Sequence, residues 1–450
     1  MTRHTSPVTK MYSNKHILKI SSPILLSLLA QNIIQVTDTA FLGRVGEVEL
    51  GASALAGIIY ISVYTLAFGF GVGSQILIGR RNGEGNHNKI GEIVIQGVLF
   101  LLIPAILLIP LMRYSSANWL PAIFDSQYVA TAVSDYLEWR SFGLVFAFTN
   151  VMFHAFYIGT TRTKVLLYKS IIMATVNIVF NYALIFGHFG FPELGIKGAG
   201  IASVIAEFSA TLFFIIYTKK NVDLKKYGFT TPRLRWSVIK RILDISIFMM
   251  MQYFTSLITW MFFFLLIENY MYERELAVTN IVRSLYMIFI IPSHALGATT
   301  NTLISNTIGA GKKDEVMGLI KRVSLISLGI MMCVMVVATL FANGIVRIYT
   351  NDMSVINDTL APLYVLITFL PLFAVGTVWV NSVSGSGNTR TMLAIEIITI
   401  VFYVSYAWYV IAHLRASVAV AWTTEHVYWF FLLLLSYLYM RSGKWKDRVI

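Results

Sequence analysis

The sequence predicts an all-α membrane protein in which twelve transmembrane helices form two six-helix bundles related by a pseudo-twofold axis. Three observations carry this. The 450 residues are 57% hydrophobic and only 13% charged, with a mean hydropathy of +0.70, which is membrane composition. Apolar runs of about 20 residues, the length that crosses a bilayer at about 1.5 Å per residue, recur along the whole chain. Short sequences in the first half also return in the same order in the second.

Twelve such spans are read, in order, over 17–41, 52–78, 92–112, 133–158, 164–187, 197–218, 241–267, 276–305, 318–343, 359–383, 391–412 and 416–440. The first follows a short basic start (Arg3, Lys10, Lys15, Lys19) but runs past signal-peptide length and lacks a small-residue cleavage site, so it reads as a true span. The lone Cys333 falls inside the ninth span and leaves no intramolecular disulfide to consider.

The formal charge of +13 is distributed by side. With the N-terminus in the cytosol, 27 of the 35 Lys and Arg fall on the cytosolic side: the basic start, Arg80, Arg81, Lys89, Arg162, Lys164, Lys169, the segment from Lys219 to Arg241, Lys312 to Arg322, Arg390, and Arg441 onward. Acidic residues such as Glu47, Glu49, Asp125, Asp135 and Glu138 cluster opposite. This positive-inside pattern sets both termini in the cytosol, and it assigns the basic excess to topology and anionic lipid rather than nucleic acid.

Gly-Arg-Arg-Asn-Gly-Glu-Gly-Asn from Gly79 matches Ser-Asn-Thr-Ile-Gly-Ala-Gly-Lys from Ser305 at an offset of 226, and Gly-Thr-Thr-Arg-Thr from Gly159 matches Gly-Asn-Thr-Arg-Thr from Gly387 at 228. Each match sits at a cytoplasmic break, after the second or fourth span of its half. Six spans per half make the repeats parallel, with an axis along the membrane normal, as in many secondary transporters. Domains are therefore expected at 1–218 and 241–450, joined by a basic cytoplasmic linker at 219–240 that contains Pro232. That linker reads as a solvated tether or an interfacial helix.

Intramembrane polar groups are costly, so they are the functional candidates. Asp38 lies 19 residues after Lys19, about 28 Å along a helix. Asn177 and Asn181 lie about 20 and 26 Å beyond Lys164, on one face by their i, i+4 spacing, and Ser203 lies about 9 Å beyond Lys197. These four reach similar depth, with Asn150 in the fourth span a further candidate. A carboxylate among amide and hydroxyl oxygens suits proton exchange or a small alkali cation, which makes Asp38, Asn177 and Asn181 a possible Na⁺ set. The competing reading is an interfacial aspartate with asparagines bonding helices together. Pro23 either gates the first span by a kink or is a tolerated membrane proline. Glu207 and Glu425 occupy matching places in the repeat, as a paired structural contact or as two ion sites, and Gln31, Gln252 and Glu396 are secondary candidates.

There is no G-x-x-x-x-G-K-[ST] loop, H-E-x-x-H, Cys/His cluster or G-x-S-x-G elbow, so an ATP motor and an intramembrane enzyme are both disfavoured and no cofactor is expected. The stretch Pro23…Gln31…Val36-Thr37-Asp38-Thr39-Ala40-Phe41-Leu42-Gly43, followed by Glu49-Leu50…Ala54-Leu55-Ala56-Gly57, resembles the first span and the start of the second in the multidrug and toxic compound extrusion (MATE) family. The Gly-x-Gly and Thr-Arg-Thr repeats and the count of spans agree with it. The resemblance implies a V-shaped pair of bundles that exports organic cations in exchange for Na⁺ or H⁺ by alternating access. It carries the family's first-span proline and aspartate onto Pro23 and Asp38, and its first-bundle polar site onto Asn150, Asn177, Asn181 and Ser203. Some members have an aspartate where this chain has Asn181, and NorM-like members carry acids in spans 7 and 10, where this chain offers Gln252 and no acid. That departure points to the DinF-like branch. The expected partners are small organic cations and membrane lipids, with no nucleic acid, and the chain is expected to act as a monomer. A lipid or lipid-linked oligosaccharide flippase is the alternative; it needs a basic central cavity, for which Arg140 and Arg283 are the only candidates away from the loops.

Overall fold

The computed structural model describes residues 12–119, 126–229 and 233–448; Arg3, Lys10, Asp125 and Pro232 lie outside the described residues. Among those described there are helices and turns but no strand. Ten helices are long and apolar enough to cross a membrane alone, and two bent pairs bring the number of spans to twelve, one for each predicted run.

The helices are α1 (Asn14–Val45), α2 (Glu47–Gly83), α3 (Ile90–Asn118), α4 (Gln127–Arg140), α5 (Gly143–Gly159), α6 (Lys164–Phe186), α7 (Gly195–Asn221) and α8 (Trp236–Tyr270). There follow α9 (Glu273–Phe289), α10 (Ile291–Gly309), α11 (Val316–Leu340), α12 (Ala342–Arg347), α13 (Met353–Gly385), α14 (Thr389–Trp408), α15 (Val418–Ala421) and α16 (Thr424–Arg441). The fourth predicted span is not one helix: α4 and α5 meet at 53° across Ser141 and Phe142. The eighth is likewise α9 and α10, meeting at 44° at Ile290. Periodicity alone does not mark such bends, because the two arms of each pair taken together are long and apolar enough to pass as one span.

Two compact units divide the chain. One holds Pro23–Asn82 and Asn86–Leu257; the other holds the residues up to Ser22, Gly83–Gly85, and those from Ile258 onward. The division falls inside α1 at Pro23 and inside α8, although α1 remains one helix through the proline.

The repeat is present in both element bounds and packing. At an offset of 226, α2 starts and ends on Glu47 and Gly83, and the α9–α10 pair on Glu273 and Gly309. A Cβ on Gly71 would meet Val151, and one on Gly297 would meet Thr377; a Cβ on Gly159 would meet Ile78 and the Gln75 carbonyl, and one on Gly385 the Asn301 carbonyl. Small residues at these crossings let helices approach closely. The same packing corrects one sequence match. Gly159 pairs with Gly385, not Gly387; the counterpart of Gly387 (φ 90°) is Thr161 (φ 60°), and both hold the left-handed turn after their helix.

In the first unit α2 and α8 run antiparallel, Gly69 against Met250 and Gly73 against Ser246. The linker is not a free tether. Val222 and Tyr227 are buried, Gly91 N donates to the Tyr227 carbonyl at 2.7 Å, and Gln96 bonds Arg233 O and Arg235 N at 2.6 and 2.7 Å. Arg235 also pairs with Glu92 at 2.6 Å. Pairing one charge and burying two apolar side chains holds a segment whose composition alone reads as solvated.

Candidate functional site

Helices α1 and α6 run side by side in the same direction and in register. Ser27 Oγ and Ser170 Oγ are 2.7 Å apart, and eleven residues further along both helices Asn181 Nδ2 donates to Asp38 Oδ1 at 2.5 Å. Eleven residues are about three turns, which returns the chain to the same helix face. Asn181 Nδ2 also donates to Asn177 Oδ1 at 3.0 Å, and both asparagines are buried. Asn181 Oδ1 is enclosed with no partner of its own. A buried acceptor without a donor, beside a carboxylate, fits a small cation held by oxygen ligands.

Asp38 opens on a cavity of about 330 Å³ that Gln31, Asn150, Asn177, Ser203 and Glu207 also line. Tyr60, Tyr64 and Tyr136 form much of its wall. Asn150 belongs to the same cavity, but its amide is engaged elsewhere: Nδ2 donates to the Glu207 carbonyl at 3.2 Å and Oδ1 accepts from Thr211 at 3.0 Å.

Glu207 is clamped by Arg140. The guanidinium reaches its two carboxylate oxygens at 2.6 and 2.8 Å and lies 3.7 Å over the Tyr60 ring, whose hydroxyl donates to the same carboxylate at 3.1 Å. The break between α4 and α5 serves this pair, since a Cβ on Gly143 would fall 2.4 Å from both Arg140 Nη1 and Glu207 Oε2. A bidentate, aromatic-faced arginine neutralises a buried glutamate well.

The other unit repeats part of this with a different outcome. Tyr286, at offset 226 from Tyr60, donates to Glu425 at 3.1 Å, so the two glutamates make a paired contact with a tyrosine of their own repeat. Tyr428 donates to Glu396 at 2.5 Å. Gln252 is buried on α8 of the first unit and does not line the cavity, and Pro23 is buried within α1. A larger cavity of about 780 Å³ in the second unit is lined by groups such as Arg274 on α9, Asp358 on α13 and Arg415 between α14 and α15, and holds none of these buried acids.

Sequence reading missed Lys169 and His154 in the first unit, and named Arg140 only as a candidate for a flippase's basic cavity. Lys169, counted with the cytosolic loops, is instead buried and lines the cavity, because α6 already begins at Lys164. Arg140, placed near the opposite surface, is buried against Glu207. His154 lines the same cavity from α5. Their signal was present: each lies inside a predicted span, where a polar group is a candidate by position.

Two repeats of six spans, with a half-buried carboxylate held by buried amides inside the first unit, define a polytopic membrane protein of the secondary-transporter type. The MatE family model matches residues 23–183 and 245–409, and the chain belongs to that family. Its two matched segments fall one in each half. The chain is 23% identical over 444 residues to the probable multidrug resistance protein NorM of Thermotoga maritima, covering 97% of this chain and 94% of that one. It is 27% identical over 349 residues to the protein of the same name from Neisseria meningitidis serogroup A, covering 75% and 74%. A solved outward-facing multidrug resistance MATE family transporter superimposes with a TM-score of 0.87 at 18% identity, covering 96% of this chain and 97% of that one.

Proposed function

We propose that the protein is a secondary active multidrug efflux antiporter, exporting small organic cations in exchange for Na⁺ or H⁺ by alternating access, with both termini on the cytoplasmic face of a bacterial inner membrane. The observation that carries the reading is the Asp38–Asn181–Asn177 chain at the edge of a cavity that three tyrosines also line. Family membership and the multidrug resistance names of the relatives support it.

Asp38 is the exchanging group. With a proton or Na⁺ aboard its charge is neutralised; without one, the carboxylate attracts a cationic drug into the tyrosine-walled cavity. Asn181 and Asn177 fix the carboxylate and offer further oxygens to Na⁺. The two occupancies drive transport through their differential affinity for inward-open and outward-open states, which is the only means by which a ligand shifts such an equilibrium. The flippase alternative is weaker, because the two arginines it called on are engaged: Arg140 pairs with Glu207, and Arg283 lies 5.3 Å over the Phe264 ring.

The test is efflux of a fluorescent organic cation from proteoliposomes under an imposed Na⁺ or pH gradient, for the wild type and Asp38→Asn. Efflux driven by one gradient and lost in the variant is expected and identifies the ion; gradient-driven efflux that survives the substitution removes Asp38 from the coupling role.

A further inference from the structure

The cavity of about 780 Å³ in the second unit lies where α8 gives way to α9, where α13 begins and where α14 gives way to α15. Each of these breaks precedes an even-numbered span, so all three lie at one boundary of the bilayer. Four charged side chains line the cavity. Arg274 and Asp358 pair at 2.5 Å. Arg415 makes no hydrogen bond or ion pair among the described residues, and Glu275 Oε2 is enclosed with no hydrogen-bond partner. One cationic and one anionic group are therefore left to a ligand.

The repeat shows that these charges belong to one unit and not to the fold. Arg415 holds φ 46°, and its counterpart at an offset of 226, Phe189, holds φ 60°. The same left-handed turn is kept in both halves, at a cost of order 1–3 kcal/mol for a residue with a side chain, while the side chain itself changes. The counterparts of Arg274 and Asp358 are Val48 and Ala132, so the first unit has neither the ion pair nor the free guanidinium at these places. Phe189 is 75% exposed and Tyr272, on the second-unit cavity, is 82% exposed. Aromatic rings this open at the ends of spans mark the headgroup layer.

We propose that this second-unit cavity receives the headgroup of an ethanolamine phospholipid, its phosphate on Arg415 and its primary ammonium on Glu275. A guanidinium offers phosphate a planar fork of donors, and a primary ammonium supplies the donor that Glu275 Oε2 lacks. Tyr270 and Tyr272 add ring surface beside the ammonium. The volume is that of an ordinary small-ligand pocket and has room for the headgroup. A choline headgroup keeps the phosphate but has no N–H to give Glu275, and a glycerol headgroup has no cation. The site is separate from the Asp38 cavity, and the inference does not depend on the efflux reading.

Native mass spectrometry titrations of the full-length protein in detergent resolve one-to-one lipid complexes. The first equivalent of dioleoylphosphatidylethanolamine is expected to bind about fivefold more tightly than dioleoylphosphatidylcholine or dioleoylphosphatidylglycerol. Glu275→Gln should erase the preference for ethanolamine over choline, and Arg415→Gln should weaken all three lipids about tenfold, with Arg415→Lys recovering part of the loss. Equal binding of the three lipids by the wild type, or a preference that survives Glu275→Gln, overturns the assignment. Soluble phosphoethanolamine that binds as tightly as the lipid also overturns it, because the ligand would then be water-borne. Should Arg415→Gln not fold, Glu275→Gln decides alone by the ratio of ethanolamine to choline lipid, which a general loss of stability does not alter.

Discussion

Arg140 and Glu207 lie 67 residues apart in sequence and meet through two charge-assisted hydrogen bonds of 2.6 and 2.8 Å, with side-chain exposures of 11% and 7%. The pair joins α4 to α7 across the bend at Gly143, and it also sets the character of the cavity beside it. With Glu207 neutralised, Asp38 is the other carboxylate that lines the cavity.

Removing one partner of a buried pair strands the other charge, at a cost of roughly 3–5 kcal/mol. Arg140→Met is therefore expected to lower the melting temperature in detergent markedly, and Arg140→Met with Glu207→Leu to recover most of the loss. Gly143→Ala should fall between wild type and Arg140→Met, since its methyl would occupy the path of the bridge. A single variant as stable as wild type would mean that the pair contributes nothing to the fold.

Two asparagines that look alike in sequence should behave differently. Asn181→Ala removes the donor to Asp38 and is expected to reduce gradient-driven efflux at least tenfold, with a stability loss of about 1 kcal/mol. Asn150→Ala instead removes one bond from the Glu207 carbonyl and one from Thr211, which stay bonded to each other at 3.0 Å, costing about 1 kcal/mol while retaining coupling. Parallel efflux and thermal denaturation measurements check the contrast; identical profiles would place both asparagines in one role.

Much of this architecture is legible in the sequence, because the bilayer dictates span length and because Asp38, Asn177, Asn181 and Ser203 declare themselves by polarity in apolar surroundings. Helical spacing set Asn177 and Asn181 on one face, and that face does turn to Asp38. The cations were harder to place. Counting every lysine and arginine near a break as a loop charge follows the positive-inside rule, but Lys169 sits only five residues into α6, and whether that turn faces solvent or a cavity depends on α5 and α7. The bend after Phe289 did have a local signal, Pro292 at the start of α10, and the bend after Arg140 falls beside Gly143, where a side chain would meet the Arg140–Glu207 bridge.

The two-residue slip between Gly159 and Gly387 in the sequence match has an energetic consequence. Matching letters aligned two glycines, whereas the backbone aligns Gly387 with Thr161, a β-branched residue held at φ 60°. Such a conformation costs of order 1–3 kcal/mol for a side chain and little for glycine, whose own penalty on ordering is about 0.5–1 kcal/mol. Thr161→Gly is thus expected to raise stability by about 1 kcal/mol, and Gly387→Thr to lower it by a similar or larger amount. Thermal denaturation of the two variants measures both ends of the repeat. Destabilisation by Thr161→Gly would show that the Thr161 side chain contributes more than its backbone strain removes.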